Sequence, residues 1–419
     1  MQCDPTRHSV VVVGAGLAGL ACARTLTRVG MPVLVLEADG AVGGRVRTDR
    51  VGGFLLDRGF QVFLTAYPEA AEVFDYESLQ LRPFYPGALV QLGRRQYRFA
   101  DPWHRPFASL AGLLAPIANF FDALRVARVR AAALRRPDPR GDDPRVTTLE
   151  YLQNFGLSER VIDRFFRPFF GGVFLERALQ TPSPFFRFVF AMFARGAATL
   201  PAKGMQALPE QLAGTLPPGT VRLNAPVASI GLDHVQTAAG EVIQCRATVV
   251  ATDSDRAAQL VQTISPISWN STTTVYYAAP RSPIREAILV LNGTGEGLVN
   301  HVCVPSDVSD RYAPAGSALV SVSIIGIPDL ADRELSQRIV DELRGWFGEE
   351  VAAWDLLRVY RIEHALPIVT PEVSAQLSQS VGEGIFACGD YLADPSINGA
   401  LVSGREAAEA VLRALRVCA

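Results

Sequence analysis

Val10-Val11-Val12-Val13-Gly14-Ala15-Gly16-Leu17-Ala18-Gly19 opens the first folded unit of the chain. Four β-branched residues in succession form a strand buried on both faces. The periodic run from Leu17 to Val29 predicts a helix, which Gly30 stops. A second apolar run, Met31 to Leu36, ends in Glu37. The three glycines have separate jobs. Gly14 permits a tight turn, Gly16 removes a side chain where a pyrophosphate approaches the backbone, and Gly19 lets helix and strand pack closely. The helix N-terminus adds unpaired N–H groups and a positive dipole end, with Leu17 and Ala18 in its first turn. This order predicts a dinucleotide site, with the Glu37 carboxylate accepting hydrogen bonds from ribose hydroxyls.

The rest of the chain bounds what such a site can serve. Its 419 residues are 49% hydrophobic and 20% charged, enough for two or three folded cores. The net charge of -2 gives no reason to expect nucleic acid. The six cysteines form no C-x-x-C pair, and reduced thiols in the cytoplasm are the simplest reading. The first strand starts so early that no signal peptide is expected. The longest apolar run, Ala108 to Phe121, is too short to span a membrane and is interrupted by Pro116 and Asn119. No metal site is expected.

Coarse periodicity divides the remainder. Residues 107–136 read as helical and arginine-rich, and residues 147–200 as helical and rich in phenylalanine. Strands are expected at Val221 to Ile230 and Val235 to Val250, then a helix from Ser254 to Gln262. Sheet-like runs follow at Thr272 to Ala278, Ala287 to Leu291, Leu298 to Val304 and Ala318 to Ile325. A helix over 333–347, a strand over Leu357 to Ile362, a short strand Ile385-Phe386-Ala387 and a final helix from about Asn398 complete the pattern.

Two further clusters narrow the ligand. Ala41-Val42-Gly43-Gly44-Arg45-Val46-Arg47-Thr48 resembles the G-G-R-x-x-T segment of the glutathione-reductase-like FAD families, where paired glycines pass the pyrophosphate and the arginine supports its charge. Phe386-Ala387-Cys388-Gly389-Asp390 with Ser396-Ile397-Asn398-Gly399-Ala400 resembles their closing segment. That resemblance implies that Asp390 bonds a ribityl hydroxyl and that the last helix aims its N-terminus at the flavin pyrimidine. Cys388 lies on the strand and is read as core, so the FAD is expected to be non-covalent.

Together with the middle segment, the chain resembles the flavin-containing amine oxidase superfamily. Pro201-Ala202-Lys203-Gly204-Met205-Gln206-Ala207-Leu208-Pro209 is similar to a stretch of its desaturase and protoporphyrinogen oxidase branches. The resemblance implies an α/β fold: a discontinuous Rossmann-like FAD domain of glutathione-reductase type with an inserted α+β substrate domain. The expected pieces are FAD-binding over 1–80, 201–265 and 366–419, a helical substrate part over 81–200, and an antiparallel sheet over 266–365. It also implies cofactor contacts at Ala38, at Gly59, Phe60 and Gln61, at Val227 after Asn224-Ala225-Pro226, at Ala251, and at Ser396, Asn398, Gly399 and Ala400.

Two departures bear on chemistry. Monoamine-oxidase-like members carry a lysine on a substrate-domain strand, and the matching run Ser271-Thr272-Thr273-Thr274-Val275-Tyr276-Tyr277 offers only threonine among its polar neighbours of that strand face. Their cage tyrosine aligns with Ser396. Lys203 stands where the family has glycine and is the one lysine in the chain. Lys203, His364 and Tyr391 are the catalytic candidates, against bland readings as loop, packing and flavin-edge residues. The expected activity is hydride removal from a lipophilic, polyene- or tetrapyrrole-like substrate, with O2 or a quinone as acceptor. An amine or amino-acid oxidase and a non-catalytic flavoprotein are the alternatives. Residues 107–136 could also rest on a membrane surface, arginines snorkelling beside apolar residues, although a solvated helix face is the simpler reading.

Overall fold

The computed structural model describes residues 8–101, 103, 115–141, 144–368, 370 and 379–417. Five strands from three separated parts of the chain lie parallel, in the order Val221–Arg222, Val33–Leu36, His8–Val13, Val242–Val250 and Ile385–Ala387. The strand His8–Val13 is central, with Val10 beside Val33 on one side and Ala247 on the other. Val10 to Val13 are all buried, so both faces of this strand are apolar and its register is fixed from both sides.

The helix Leu17–Arg28 follows directly, and the final helix Ile397–Val417 crosses it. That crossing depends on Gly404, where a Cβ would lie 2.2 Å from the Ala18 carbonyl oxygen. Two sequence expectations are revised nearby. The run 221–230 is two strands, Val221–Arg222 and Val227–Ile230, because Asn224 turns with φ 53 and Pro226 cannot donate to a ladder. The run 235–250 is a hairpin of His234–Thr237 against Val242–Val250, turning at Gly240 with φ 87.

A second sheet has seven strands in the order Asp355–Pro367, Trp269–Ala279, Ala318–Ile325, His301–Cys303, Leu289–Asn292, Gly87–Leu92 and Arg95–Ala100. Neighbours are antiparallel except Leu289–Asn292 beside Gly87–Leu92. The stretch 81–200, expected to be helical, therefore begins with a hairpin that extends this sheet. Its turn sits at Gly93, with φ 60, between the strands Gly87–Leu92 and Arg95–Ala100.

Helices Phe120–Arg135, Arg167–Phe174 and Ser183–Arg195 pack beside the sheet. Ile162–Phe166 forms a π-helical turn, which rotates Phe165 and Phe166 relative to the helix that continues. Phe165 stacks on Phe169 at 5.4 Å between centroids and Phe166 on Phe170 at 6.0 Å. Helix Phe120–Arg135 starts at a capping box between Asn119 and Asp122. The earlier part of the expected helix over 107–136 lies largely outside the described residues. Among those residues no helix is long and apolar enough to cross a membrane.

Candidate active site

One cavity of about 1420 Å³ runs from the glycine-rich turn into the phenylalanine-rich helices. That exceeds the ~300–1,000 Å³ of a pocket for one small ligand, so the space suits a cofactor and a substrate together. The wall at one end includes Gly14, Gly16, Leu17, Ala18, Glu37 and Ala38. Gly43, Gly44 and Arg45 join them, because the Gly43 N–H donates to the Ala15 carbonyl and ties the second glycine cluster to the first turn. Gly59, Phe60, Gln61, Val227, Ala251, Gly389, Asp390, Ser396 and Ala400 complete the expected set on this wall.

The turn itself shows where a ligand fits. A Cβ on Gly14 would lie 2.7 Å from the Ala251 carbonyl oxygen, and one on Gly19 2.1 Å from that of Gly14. A Cβ on Gly16 would meet nothing within 4 Å. The helix behind Gly16 has no side-chain cap and no acid in its first turn. Its unpaired N–H groups thus face open space with positive dipole, which fits an anionic diphosphate. Gln61 Oε1 is buried without a hydrogen-bond partner among the described residues. The residues present fit a dinucleotide such as FAD.

Several expected residues also make contacts within the chain. Glu37 is buried and its carboxylate already holds the turn: Oε2 accepts from the Ala15 N–H at 2.6 Å and Oε1 from the Asp39 N–H at 2.9 Å. Arg45 and Asp390 are joined to each other at 2.5 Å, and Arg45 also donates to the Ala365 carbonyl and lies over the Trp269 ring at 5.2 Å. Ser396 caps the final helix, its Oγ accepting from the Gly399 N–H at 3.0 Å. Gly19, Asn398 and Gly399 lie behind the wall. Asn398 Oδ1 accepts from the Glu69 N–H, and a Cβ on Gly399 would lie 2.0 Å from the Asp394 carbonyl oxygen.

The three catalytic candidates separate. Lys203 is exposed and off the cavity, because Gly204 packs against Thr48 and leaves the Lys203 side chain on the solvent side of the turn. Tyr391 is buried behind the wall, its hydroxyl without a partner among the described residues, and burial pushes its pKa up. His364 does line the cavity, but it is stacked on Trp269 and paired with Asp255 at 3.0 Å. The threonines on the strand Trp269–Ala279 are occupied too. Thr272 and Thr273 donate to the Ile324 and Gly326 carbonyls, and Thr274 accepts from the Phe60 N–H.

The other end of the cavity is a chamber of aromatic walls, with Phe165, Phe169, Phe190 and Phe193 facing Phe99 and Leu291. Arg130 and His301 are among the polar side chains that interrupt it, and neither is a site residue expected from the sequence. Arg130 donates to the Ala194 carbonyl, lies over the Trp103 ring at 4.5 Å and keeps a buried Nε without a partner among the described residues. His301 lines the wall beside Phe60, and burial lowers its pKa to about 4. Acids on the wall are already committed. Asp122 accepts from the Asn119 and Ser158 N–H groups, Asp101 from that of Trp103 and Asp253 from that of Arg256. Both residues could be found only from the fold, since each sits inside a run that reads as ordinary strand or helix.

Known proteins share this arrangement. The family model of the flavin containing amine oxidoreductases matches residues 17–412. Coproporphyrinogen III oxidase of Mycobacterium tuberculosis is 26% identical over 471 aligned positions, covering 98% of each chain. Protoporphyrinogen oxidase 2 of Arabidopsis thaliana is 40% identical over 77 residues, 18% of this chain and 15% of that protein, a match confined to a small part of its length. A solved structure of putrescine oxidase with bound putrescine superposes with a TM-score of 0.73 at 16% identity, covering 97% of this chain and 99% of that one, a likeness of fold. The glycine turns, the paired clusters and the match over nearly the whole length agree: the chain belongs to the flavin containing amine oxidoreductase family and is an FAD-dependent oxidoreductase.

Proposed function

We propose that this enzyme dehydrogenates a lipophilic substrate bearing acidic or other polar substituents, as a tetrapyrrole does, in the aromatic chamber. The observation that carries this reading is the continuity of that chamber with the glycine-rich arm in one cavity. Bound FAD supplies a two-electron acceptor for a substrate C–H bond. Gly16 and the helix N-terminus would hold its diphosphate, Glu37 and Ala38 its adenosine side, and Asp390 with Arg45 its ribityl chain. The phenylalanines orient the substrate and keep water out, which suits hydride removal without a strong base. The Arg130 cation on the cavity wall favours a substrate with a carboxylate over a hydrocarbon polyene. The whole-length similarity to coproporphyrinogen III oxidase supports the same class.

An amine oxidase is the second reading, favoured by the family name and the putrescine oxidase fold. A cationic amine would meet Arg130 and acids that are already committed. Anaerobic mixing of the FAD-loaded protein with coproporphyrinogen, a polyene and putrescine separates the readings. Flavin bleaching is expected with the porphyrinogen; bleaching by putrescine or the polyene alone overturns the proposal. Phe120, Phe121 and Leu124 are exposed on the helix whose Ala123, Val126 and Arg130 line the cavity. We propose that this rim rests on a lipid surface, from which a lipophilic substrate enters.

A further inference from the structure

Two carboxylates and an imidazole from separate parts of the chain converge at the rim of the cofactor arm. Asp253 caps the helix Ser254–Leu260 and Asp255 lies in its first turn, whereas His364 sits on the strand Asp355–Pro367 of the second sheet. One imidazole nitrogen and one oxygen of each carboxylate all lie within 4.8 Å of one another. The Asp255 and His364 side chains are 33% and 43% exposed, so an ion can reach the cluster from solvent.

The three side chains are held in place by their surroundings. Asp253 Oδ1 accepts from the Arg256 N–H at 2.8 Å, which leaves its second oxygen for another partner. The His364 ring is stacked on Trp269 at 5.2 Å between centroids. The Trp269 indole N–H in turn donates to Ser254 Oγ at 3.2 Å, so the support of the imidazole is tied to the helix that carries both acids. Outer contacts of this kind orient metal ligands and raise affinity.

The charge is uncompensated. Among the described residues no arginine or lysine forms an ion pair with Asp253 or Asp255; Arg256 spends its guanidinium on Gln259 Oε1 and the Val227 carbonyl. Two carboxylates this close repel each other unless a cation joins them. Zinc bonds of ~2.0–2.2 Å place neighbouring ligands of a tetrahedron about 3.4 Å apart. His364 Nε2 and Asp255 Oδ2 stand 3.0 Å apart, already near that spacing. An imidazole beside carboxylates suits zinc and its transition-metal neighbours, whereas magnesium and calcium favour oxygen alone.

We propose that Asp253, Asp255 and His364 form a three-ligand site for a zinc-class divalent ion, which clamps the helix Ser254–Leu260 to the strand Asp355–Pro367. The site stands whatever substrate the chamber takes. It joins the FAD-binding part of the chain to the second sheet beside the cavity that both line.

Zinc itself is the probe. Untagged, FAD-loaded protein is stripped with a chelator and dialysed against zinc, and bound metal is counted per chain by atomic absorption. The wild type is expected to take up one zinc more than His364→Ala. Asp253→Asn keeps the helix cap and Asp255→Asn keeps the side-chain shape, and each should weaken zinc binding roughly tenfold or more. Retained flavin reports that each variant is folded. Zinc should also raise the melting temperature of the wild type and leave that of His364→Ala unchanged. Equal uptake by wild type and His364→Ala overturns the site, as does wild-type affinity in both asparagine variants. Displacement of zinc by an equal concentration of magnesium overturns the zinc-class assignment, because the acids would then hold the ion without the imidazole.

Discussion

The Arg45 guanidinium meets the Asp390 carboxylate at 2.5 Å, although the two residues stand 345 positions apart in the sequence. The Asp390 side chain is almost fully buried and Arg45 is partly open, and among the described residues Arg45 is the cation paired with this carboxylate. Asp390→Asn removes the charge and keeps the shape. FAD affinity of the reconstituted protein is expected to fall roughly tenfold or more, the scale of a charge-assisted hydrogen bond. Quenching of flavin fluorescence on titration of apoprotein measures it. An unchanged affinity would remove Asp390 from the cofactor site.

Two glycines should fail in opposite ways. A Cβ on Gly16 meets no protein atom, whereas one on Gly404 strikes the Ala18 carbonyl. Gly16→Val is expected to leave apoprotein melting close to wild type and abolish FAD retention. Gly404→Ala is expected to lower stability by about 1–3 kcal/mol through overpacking, with or without flavin. Thermal melts of both apoproteins decide it, and a Gly16→Val protein that melts early would locate the need for this glycine in folding.

Asp57 gives a pH signature. It is buried, accepts from Thr48, Tyr312 and the Met205 N–H, and burial raises its pKa from 3.8 to about 6. Between those values the folded chain holds the extra proton. Asp57 thus contributes stability that is full below pH 3.8 and lost as pH rises through about 6. Asp57→Asn cannot titrate there. Urea unfolding of variant and wild type at several pH values should show their difference shifting towards the variant as pH rises, by on the order of 3 kcal/mol. A difference independent of pH would contradict the shift.

Lys203 should be dispensable. It is exposed and away from the cavity, so Lys203→Met is expected to retain FAD and wild-type reduction rates. A tenfold or greater loss in stopped-flow reduction, flagged by about 1.4 kcal/mol of barrier, would return it to the site.

The exposed rim predicts lipid binding. Phe120 is 63% and Phe121 64% exposed, at the start of a helix that also carries Arg128 and Arg135. Flotation with anionic vesicles should recover the wild type, and a Phe120→Ser, Phe121→Ser, Leu124→Ser variant should stay with the unbound protein. Equal recovery of both would remove this face from the membrane.

The sequence made the cofactor arm legible because its determinants are local or sit at fixed offsets. Gly14, Gly16 and Gly19 act within one turn, and Glu37 ends the adjacent strand. Even there, Glu37's grip on the Ala15 and Asp39 N–H groups was hidden, since a carboxylate pattern does not say which donors it holds first. The hairpin Gly87–Leu92 and Arg95–Ala100 carried little readable signal beyond the turn residue Gly93, because neither strand alternates cleanly between apolar and polar residues. His301 had no readable signal. Its neighbour Asn300 donates to the Pro168 carbonyl, 132 positions away, and only the folded chain brings them together. Lys203 misled for the converse reason: rarity in composition says nothing about burial.

The central strand His8–Val13 is flanked by Val33–Leu36 and by Val242–Val250, and the sheet closes with Ile385–Ala387. During synthesis Val33–Leu36 follows the central strand closely, yet its other parallel partner, Val242–Val250, arrives more than two hundred residues later. The segment carrying Asp390 comes later still. A nascent chain therefore exposes an incomplete sheet, with an open apolar edge, until those strands arrive. Cofactor capture is then a late event that seals the assembly. Flavin supply during growth is expected to govern how much chain escapes aggregation, as well as how much is active.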